Sequence, residues 1–303
     1  MGATRGGPMM TGLPHPRAAM AAFALVGAAT TLMVPVHGAS DPSALHSLHH
    51  ETIAVGHESS RRVEYFWMAP PGKGPWPAIV FIHGYQAGDT TPGGKAFVDY
   101  GVLDSTAARG YVGISISQPG FGHSDGPPDF MGPATVGAAE AVIRHFRAEA
   151  FVRGDRIGLE GVSRGATVAS LVAARDSTIR AMVLISGAYD FATPLDSSTA
   201  AGRLNIARRD VVRSDIAAET DGTVAALEVR SALSQVSHIR TAALILGGER
   251  DDRTDPDQAR RLAEGIRKNG VFARAVIYPD LGHAIPYGMR EREVEPFFDA
   301  HLK

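Results

Sequence analysis

The sequence predicts an α/β protein, namely one doubly wound domain in which a largely parallel β-sheet is covered by helices on both faces. Short and nearly continuous apolar segments alternate along the chain with longer segments of helical periodicity, as expected for strands buried on both faces. The composition, 44% hydrophobic and 20% charged over 303 residues, is too apolar for a disordered chain and too mixed for a membrane bundle.

The charge balance and the absence of cysteine exclude several classes of function. The chain has 30 Lys and Arg residues against 32 Asp and Glu residues, a net charge of -2. A nearly neutral chain is not typical of proteins that bind nucleic acid or an anionic lipid surface, so we expect no nucleic-acid partner. Without cysteine there can be no disulfide, no thiolate nucleophile and no Cys-ligated metal cluster, so any catalysis uses other side chains.

The first 39 residues are typical of a secretory signal peptide. Two arginines and no acidic residue precede the apolar run Ala18–Val36, and small residues follow it up to Ala39. Because the apolar run is long for a signal, a permanent membrane anchor is the alternative. We expect a secreted or periplasmic protein comprising residues 40–303, with no stable membrane partner once the signal is cleaved.

Each predicted element follows from its local pattern. Two leading runs rich in β-branched and aromatic residues indicate an antiparallel pair, and six later apolar runs indicate the parallel strands. The predicted strands are Ile53–Val55, Val63–Met68, Ala78–Ile82, Tyr111–Ile116, Ile157–Leu159, Ala181–Ile185, Ala242–Leu246 and Ala273–Ile277. Helical spacing predicts helices at Thr135–Ala148, Gly165–Arg175, Asp257–Lys268 and near Arg290–Leu302.

One connection is longer than an ordinary link between a helix and a strand. Residues 189–238, about fifty residues rich in charge and helix formers, lie between two predicted strands. We expect this segment to form a helical cap over the site, inserted into the single domain of residues 40–303.

Two serines lie in the pattern G-x-S-x-G, and their context separates them. This pattern marks a strained strand-to-helix turn that exposes a serine hydroxyl. Ser163, in Gly161–Gly165, directly follows a predicted strand and precedes a predicted helix. Ser124, in Gly122–Gly126, follows no strand and precedes two prolines, which cannot begin a helix normally. Ser163 is the candidate nucleophile, and Ser124 is expected to lie in a turn.

A serine nucleophile needs a base and a third group that orients the base. The loop after the strand Ala242–Leu246 carries four acidic residues, and the loop after the last predicted strand carries a histidine. These candidates are Glu249, Asp251, Asp252, Asp255 and His283. Because ligand sites in parallel sheets lie at the carboxyl ends of the strands, we expect the three loops to face one crevice. The order serine, acid, histidine is that of one hydrolase fold.

With these residues in place, the chain resembles an α/β-hydrolase with a mostly parallel eight-stranded sheet and a cap insertion. Its second half resembles the catalytic domain of the prolyl oligopeptidase family, with dienelactone-hydrolase-like esterases as near relatives. The segments that carry the resemblance are Leu244–Gly248, Asp251-Asp252-Arg253 and Tyr278 through His283. The resemblance implies that Asp251 is the triad acid, with Asp252 as the alternative, and that Arg253 binds a substrate carbonyl if the substrate is a peptide.

The oxyanion hole is expected to use backbone amides. The segment that ends the third strand continues as His83-Gly84-Tyr85, and a flexible Gly84 would let the next amide turn into the site. We assign the amides of Tyr85 and of Arg164, the residue after the nucleophile. Some members of the similar peptidase family place a tyrosine hydroxyl where this chain has His83, so that donor is not expected here.

The predicted function is that of a serine hydrolase acting on a small ester or a short peptide. We expect residues 40–303 to be too few to include the β-propeller that precedes the catalytic domain in the similar peptidases. This expectation favours carboxylesterase activity. A peptidase or amidase is the alternative, and a binding module that has lost catalysis is a further one. A triad of Ser163, Asp251 and His283 needs neither a metal ion nor an organic cofactor.

Overall fold

The structure is a computed structural model, and it describes residues 46–56, 61–88, 90–193 and 214–303. The predicted signal segment, residues 1–39, lies outside the described residues. So does the part of the predicted cap from residue 194 to residue 213.

Among the described residues, eight strands form a single sheet. They are β1 (His49–Val55), β2 (Arg61–Met68), β3 (Trp76–Ile82), β4 (Val112–Ile116), β5 (Val152–Val162), β6 (Ala181–Ile185), β7 (Ala242–Gly248) and β8 (Ala273–Tyr278). Their order across the sheet is β1-β2-β4-β3-β5-β6-β7-β8. The pairs β1–β2 and β2–β4 are antiparallel, and the remaining neighbours are parallel. Each of the predicted strands is present, and β5 extends beyond the predicted Ile157–Leu159 at both ends.

The helices connect these strands and cover the sheet. They are α1 (Lys95–Asp99), α2 (Val102–Ala108), α3 (Pro133–Ala148), α4 (Arg164–Arg175), α5 (Val224–Glu228), α6 (Pro256–Lys268) and α7 (Tyr287–Leu302), with a 3-10 helix at Ala232–His238. The four predicted helices are present within three residues of their expected starts. Helices α1 and α2 are not among the predicted helices, because they are too short to show a helical period. Within the described ranges, no helix combines the length and the hydrophobicity needed to cross a bilayer.

Side chains on both faces of the sheet are buried, as the continuous apolar runs predict. Along β3, Ile79 and Phe81 belong to one apolar cluster, whereas Val80 and Ile82 belong to another. Successive residues of a strand point to opposite faces, so the two clusters lie on opposite sides of the sheet. Helices α3, α4 and α6 contribute to the cluster of Val80, and α2 and α7 contribute to the cluster of Phe81.

The parallel part of the sheet sets the position of the candidate site. Strands β3, β5, β7 and β8 run in the same direction, so their carboxyl ends lie at one edge. The residues that follow these ends are His83, Ser163, Asp251 and His283. Sheet topology alone therefore brings all of the predicted loops to one side of the domain.

Strand β5, which leads to Ser163, also carries a buried carboxylate. Glu160 is 3% exposed, and the Arg290 guanidinium of α7 lies 3.9 Å from its carboxylate. Burial raises the pKa of Glu160. Burial and the nearby charge of Glu160 together raise the pKa of Glu291, also on α7, to about 7.

This pair of carboxyl groups makes the stability of the fold depend on pH. In the folded chain Glu291 keeps a proton that the unfolded chain loses above the ordinary pKa of 4.5, so stability falls as the pH rises from 4.5 toward about 7. Substituting Glu291→Gln removes this pH-dependent loss of stability. We expect the variant to unfold at a higher urea concentration than the wild type at about pH 8, with the difference disappearing near pH 4.5. If the variant unfolds at the same or a lower urea concentration than the wild type at about pH 8, the raised pKa of Glu291 is contradicted.

Candidate active site

Ser163 lies at a strained turn between β5 and α4. Its backbone has φ 54° and ψ -118°, a conformation that residues other than glycine rarely adopt. The Ser163 N–H donates to the carbonyl of Ile185, at the end of β6, over 2.7 Å. This turn is the one that the G-x-S-x-G pattern predicts, and it places the serine at the carboxyl edge of the sheet.

The glycines of the pattern let the start of α4 pass close to the sheet. A Cβ atom on Gly165 would lie 2.0 Å from the Ile82 carbonyl oxygen, and one on Gly161 would lie 2.2 Å from the Gly165 carbonyl oxygen. Each distance is far below van der Waals contact, and the obstructing atoms are backbone. Glycine at both positions is therefore a packing requirement of the turn.

Substituting Gly165→Ala tests this requirement. The added methyl group forces α4 away from β3, and we expect the free energy of unfolding to fall by about 3 kcal/mol or more, the upper range for overpacking. Chemical denaturation of the variant measures this loss. The control is Gly137→Ala on α3, where an added Cβ meets nothing within 4 Å. Equal stability of the two variants would contradict the close approach.

The structure brings Ser163, Asp251 and His283 together. His283 Nε2 lies 2.9 Å from Ser163 Oγ, and His283 Nδ1 lies 2.9 Å from Asp251 Oδ2. Because a carboxylate only accepts, Nδ1 is the protonated nitrogen, and Nε2 accepts the serine hydroxyl proton. Ser163 and His283 are both partly exposed, so a substrate can reach them.

Asp251 is held in place by several further donors. It is 5% exposed, and its Oδ1 accepts the backbone N–H groups of Arg253 at 2.7 Å and Thr254 at 3.0 Å. The Thr254 hydroxyl donates to Oδ2 over 2.6 Å. Burial acts to raise the pKa of Asp251, but the hydrogen bonds from His283 and Thr254 outweigh it and hold the pKa below its ordinary value. The group therefore stays ionised beside the histidine.

The alternative acid, Asp252, is more exposed than Asp251, which is the carboxylate bonded to His283 Nδ1. The Asp252 side chain is 62% exposed and its carboxylate lies 4.0 Å from Arg253 Nε. The loop of Asp251 is instead tied to the histidine loop by two backbone bonds, from Glu249 N–H to the Tyr278 carbonyl and from Arg250 N–H to the Leu281 carbonyl, both 2.9 Å long. Geometry thus favours the first aspartate of the pair.

The predicted oxyanion loop lies against the serine. A Cβ on Gly84 would be 3.4 Å from Ser163 Cβ and 3.2 Å from the Val162 carbonyl oxygen. Gly84 does not have a positive φ, so a small residue is needed here for close approach rather than for flexibility, which corrects the expectation. Arg164 begins α4, and the N–H of a first helical residue has no partner within its helix, which leaves it available to an oxyanion. The Tyr85 ring is 60% exposed and packs edge-on against Phe121.

The remaining predicted residues lie apart from this centre. Arg253 has a side chain that is 44% exposed and faces Asp252, so it is accessible to a substrate. Ser124 is 8% exposed, where its hydroxyl donates to the Ser117 carbonyl over 2.6 Å and accepts the Glu64 N–H over 2.9 Å. These bonds fit the predicted turn.

Part of the predicted cap segment is fastened to the domain beside the active site. Arg230 is 3% exposed, and its Nε donates to the Phe130 carbonyl over 2.9 Å. The Phe130 N–H donates to the Glu219 carboxylate over 2.8 Å. The Phe130 loop also carries Asp129, whose carbonyl accepts a hydrogen bond from Arg164, so these contacts reach the residue beside Ser163.

Buried polar side chains that the sequence motifs do not indicate lie behind the oxyanion loop. Gln118, which follows β4, is 2% exposed and contacts both His83 and Arg164. The guanidinium of Arg164 is buried as well, although only its backbone amide was assigned. Gln118 follows the carboxyl end of a parallel strand, so the rule that selected the three other loops could also have found it.

Two family models each match a part of this chain. The model of the X-Pro dipeptidyl-peptidase (S15) family matches residues 61–205, and that of the C-terminal domain of BAAT and acyl-CoA thioester hydrolases matches residues 139–289. The chain is 25% identical over 272 residues to the uncharacterized peptidase YuxL of Bacillus subtilis. That match covers 83% of this chain, and the chain spans only 39% of the length of this curated relative.

Solved structures share the fold at low sequence identity. An esterase of Pyrococcus furiosus superposes with a TM-score of 0.60 at 16% identity, covering 88% of this chain and 96% of the esterase. A puromycin-hydrolysing peptidase of Mycobacterium tuberculosis superposes with a TM-score of 0.65 at 19% identity, covering 86% of this chain and 40% of the peptidase. The predicted α/β-hydrolase fold and the resemblance to peptidases and esterases are confirmed.

Proposed function

We propose that the protein is a serine hydrolase that cleaves carboxylic esters through an acyl-enzyme. The observation that carries the proposal is the continuous hydrogen-bonded series from Asp251 through His283 to Ser163, with both distances at 2.9 Å. A base within hydrogen-bond reach of a nucleophile, itself oriented by a third group, is the signature of covalent acyl transfer. The substrate is a small ester, and the reaction needs no nucleic-acid partner, metal ion or organic cofactor.

The reaction follows from these contacts. His283 Nε2 takes the proton of Ser163 as Oγ attacks the carbonyl carbon, and Asp251 stabilises the imidazolium that forms. The amides of Tyr85 and Arg164 hold the oxyanion of the tetrahedral intermediate. The imidazolium then returns its proton to the leaving alcohol, and the acyl group stays on Ser163. A water molecule, deprotonated by His283, attacks the acyl carbon, and the acid leaves as Ser163 is protonated again.

Two observations support an ester as the substrate. Ser163 and His283 are partly exposed, which suits a small or extended molecule that approaches from solvent. The similarity in fold to the Pyrococcus furiosus esterase supports the same class of substrate.

A peptidase or amidase is the second candidate, and Arg253 is the observation that favours it. Its guanidinium lies two residues after the triad acid and is 44% exposed, where it could donate to a substrate carbonyl. The matches to the S15 peptidase family and to YuxL support the same candidate. If the substrate is an ester, Arg253 is a surface charge with no part in binding.

A paired assay separates the two candidates. The protein without its first 39 residues is given a short p-nitrophenyl ester and a peptidyl p-nitroanilide of matched acyl group. The proposal predicts ester turnover without comparable amide turnover, and an Arg253→Gln variant with unchanged kinetics. Comparable amide turnover, with KM raised in the Arg253→Gln variant, would make the protein a peptidase. No turnover of either substrate would indicate a binding module instead.

The proposal includes a secreted or periplasmic location. The arginines, the apolar run and the small residues of positions 1–39 support a signal peptide, and cleavage near Ala39 releases the domain of residues 40–303. N-terminal sequencing of the protein recovered from the exporting cell tests this. A new terminus at residue 39 or 40 is expected, whereas an intact terminus in the membrane fraction would indicate an anchor.

A further inference from the structure

The His83 ring is buried behind the oxyanion loop and bonds two backbone groups. It is 3% exposed, its Nδ1 lies 2.7 Å from the Gly84 carbonyl oxygen, and its Nε2 accepts the Gln118 N–H over 3.1 Å. Because a carbonyl oxygen only accepts, Nδ1 carries the proton and the ring is neutral. Burial lowers the pKa of His83 to about 4, so the ring stays neutral under ordinary assay conditions.

The bond from His83 also fixes an amide on the far side of the same peptide unit. The Gly84 carbonyl and the Tyr85 N–H belong to one trans peptide plane, in which the two groups point in opposite directions. The bond that holds the Gly84 carbonyl toward the His83 ring therefore keeps the Tyr85 N–H pointing away from that ring. Tyr85 is the loop residue assigned to the oxyanion hole, so rotation of this plane would turn its donor out of the site.

A second buried side chain links this loop to the nucleophile turn. The Gln118 amide nitrogen donates to the His83 carbonyl over 2.6 Å, and its oxygen accepts from Arg164 Nε over 2.9 Å. Arg164 in turn donates to the Asp129 carbonyl over 2.6 Å. Arg164 also supplies the other assigned oxyanion amide from its own backbone. One buried carboxamide, that of Gln118, thus bridges the two halves of the oxyanion hole.

We propose that Arg164, Gln118 and His83 form a buried positioning relay that fixes the directions of the two oxyanion amides relative to each other. The inference rests on the proposed function and assigns these three side chains no contact with the substrate. An oxyanion exists only in the transition state and the intermediates, so misdirected amides lower kcat and leave KM unchanged. A purely structural role would change stability without this selectivity.

Two neutral substitutions of His83 separate its two contacts. In His83→Asn the amide nitrogen can occupy the place of Nδ1 and donate to the Gly84 carbonyl, whereas in His83→Gln the amide reaches only the place of Nε2. We expect His83→Asn to keep kcat for the short ester within about threefold and His83→Gln to lose at least about tenfold, both at unchanged KM. The affinity for a trifluoromethyl ketone, whose serine adduct carries an oxyanion, should fall in parallel with kcat.

The variant Gln118→Glu tests the bridge. Its carboxylate still accepts from Arg164 but no longer donates to the His83 carbonyl. We expect a loss in kcat of at least about tenfold in the wild-type background and a much smaller further loss in His83→Gln, because the two residues hold neighbouring peptide planes of the same loop. Additive losses would show that Gln118 acts independently of His83.

The outcomes separate this inference from the proposed function. A wild-type protein that neither cleaves the ester nor reacts with a fluorophosphonate overturns the proposed function, and the relay with it. An active wild type in which His83→Asn and His83→Gln have equal kcat overturns the relay alone. If thermal unfolding shows that both His83 variants are unfolded, Gln118→Glu decides the question, and an unchanged kcat in that variant overturns the relay.

Discussion

Replacing Ser163 with alanine is expected to lower kcat/KM for a short ester by at least about 10⁴-fold, because no attacking oxygen remains. The substitution removes only one hydroxyl group from a partly exposed side chain, so the fold should keep its stability. Steady-state assays with the p-nitrophenyl ester measure the loss.

Ser124→Ala is the matched control for this prediction, because Ser124 lies in the chain's other G-x-S-x-G sequence. Its hydroxyl bonds the Ser117 carbonyl and the Glu64 N–H, so its removal should lower the free energy of unfolding by about 1–3 kcal/mol and leave turnover intact. An active Ser163→Ala variant, or a Ser124→Ala variant that folds but has lost turnover, would contradict the assignment of the nucleophile.

Replacing Asp251 with asparagine is expected to lower kcat by about 10⁴-fold, the effect of a wrong histidine tautomer. Oδ1 of Asp251 already accepts two backbone N–H groups, so the amide nitrogen of the variant takes the place of Oδ2 and faces His283 Nδ1. An amide nitrogen donates, so Nδ1 must give up its proton to Nε2. The Nε2–H group can then no longer accept the proton of Ser163.

The control for the acid is Asp252→Asn, which changes the neighbouring aspartate in the same loop. Its side chain is 62% exposed, and His283 Nδ1 is bonded to Asp251 instead, so kcat should stay within about threefold of the wild type. A reversed result, with the larger loss in Asp252→Asn, would mean that the loop rearranges and that the second aspartate orients the histidine.

The sheet was predictable from the sequence because its strands are buried on both faces. Along β3, every residue from Ala78 to Ile82 is apolar, and the two core clusters divide these residues alternately. Helices α1 and α2 were not predictable, because five and seven residues complete too few turns for a periodic pattern. The leading antiparallel pair was predicted, whereas the pairing of β2 with β4 depends on contacts distant in sequence.

The three reacting side chains were predictable, and the groups behind them were not. Ser163 and His283 lie in glycine-rich turns that follow apolar strands, which is a local signal. The choice of Asp251 over Asp252 depends on which carboxylate faces inward, and the pattern alone left this open. Gln118 lies in no motif. Its place after a parallel strand marks it as a residue of the site edge, but its bonds to two separate loops form only in the folded chain.

The most direct test of the account is to label the protein with an alkyl fluorophosphonate, digest it with trypsin and locate the adduct by mass spectrometry. The reagent phosphonylates an activated serine and releases fluoride. We predict one adduct per chain, on the peptide of residues 157–164 that contains Ser163, and no labelling after heat denaturation. An unlabelled native protein, or an adduct on the peptide that contains Ser124, would contradict the central claim.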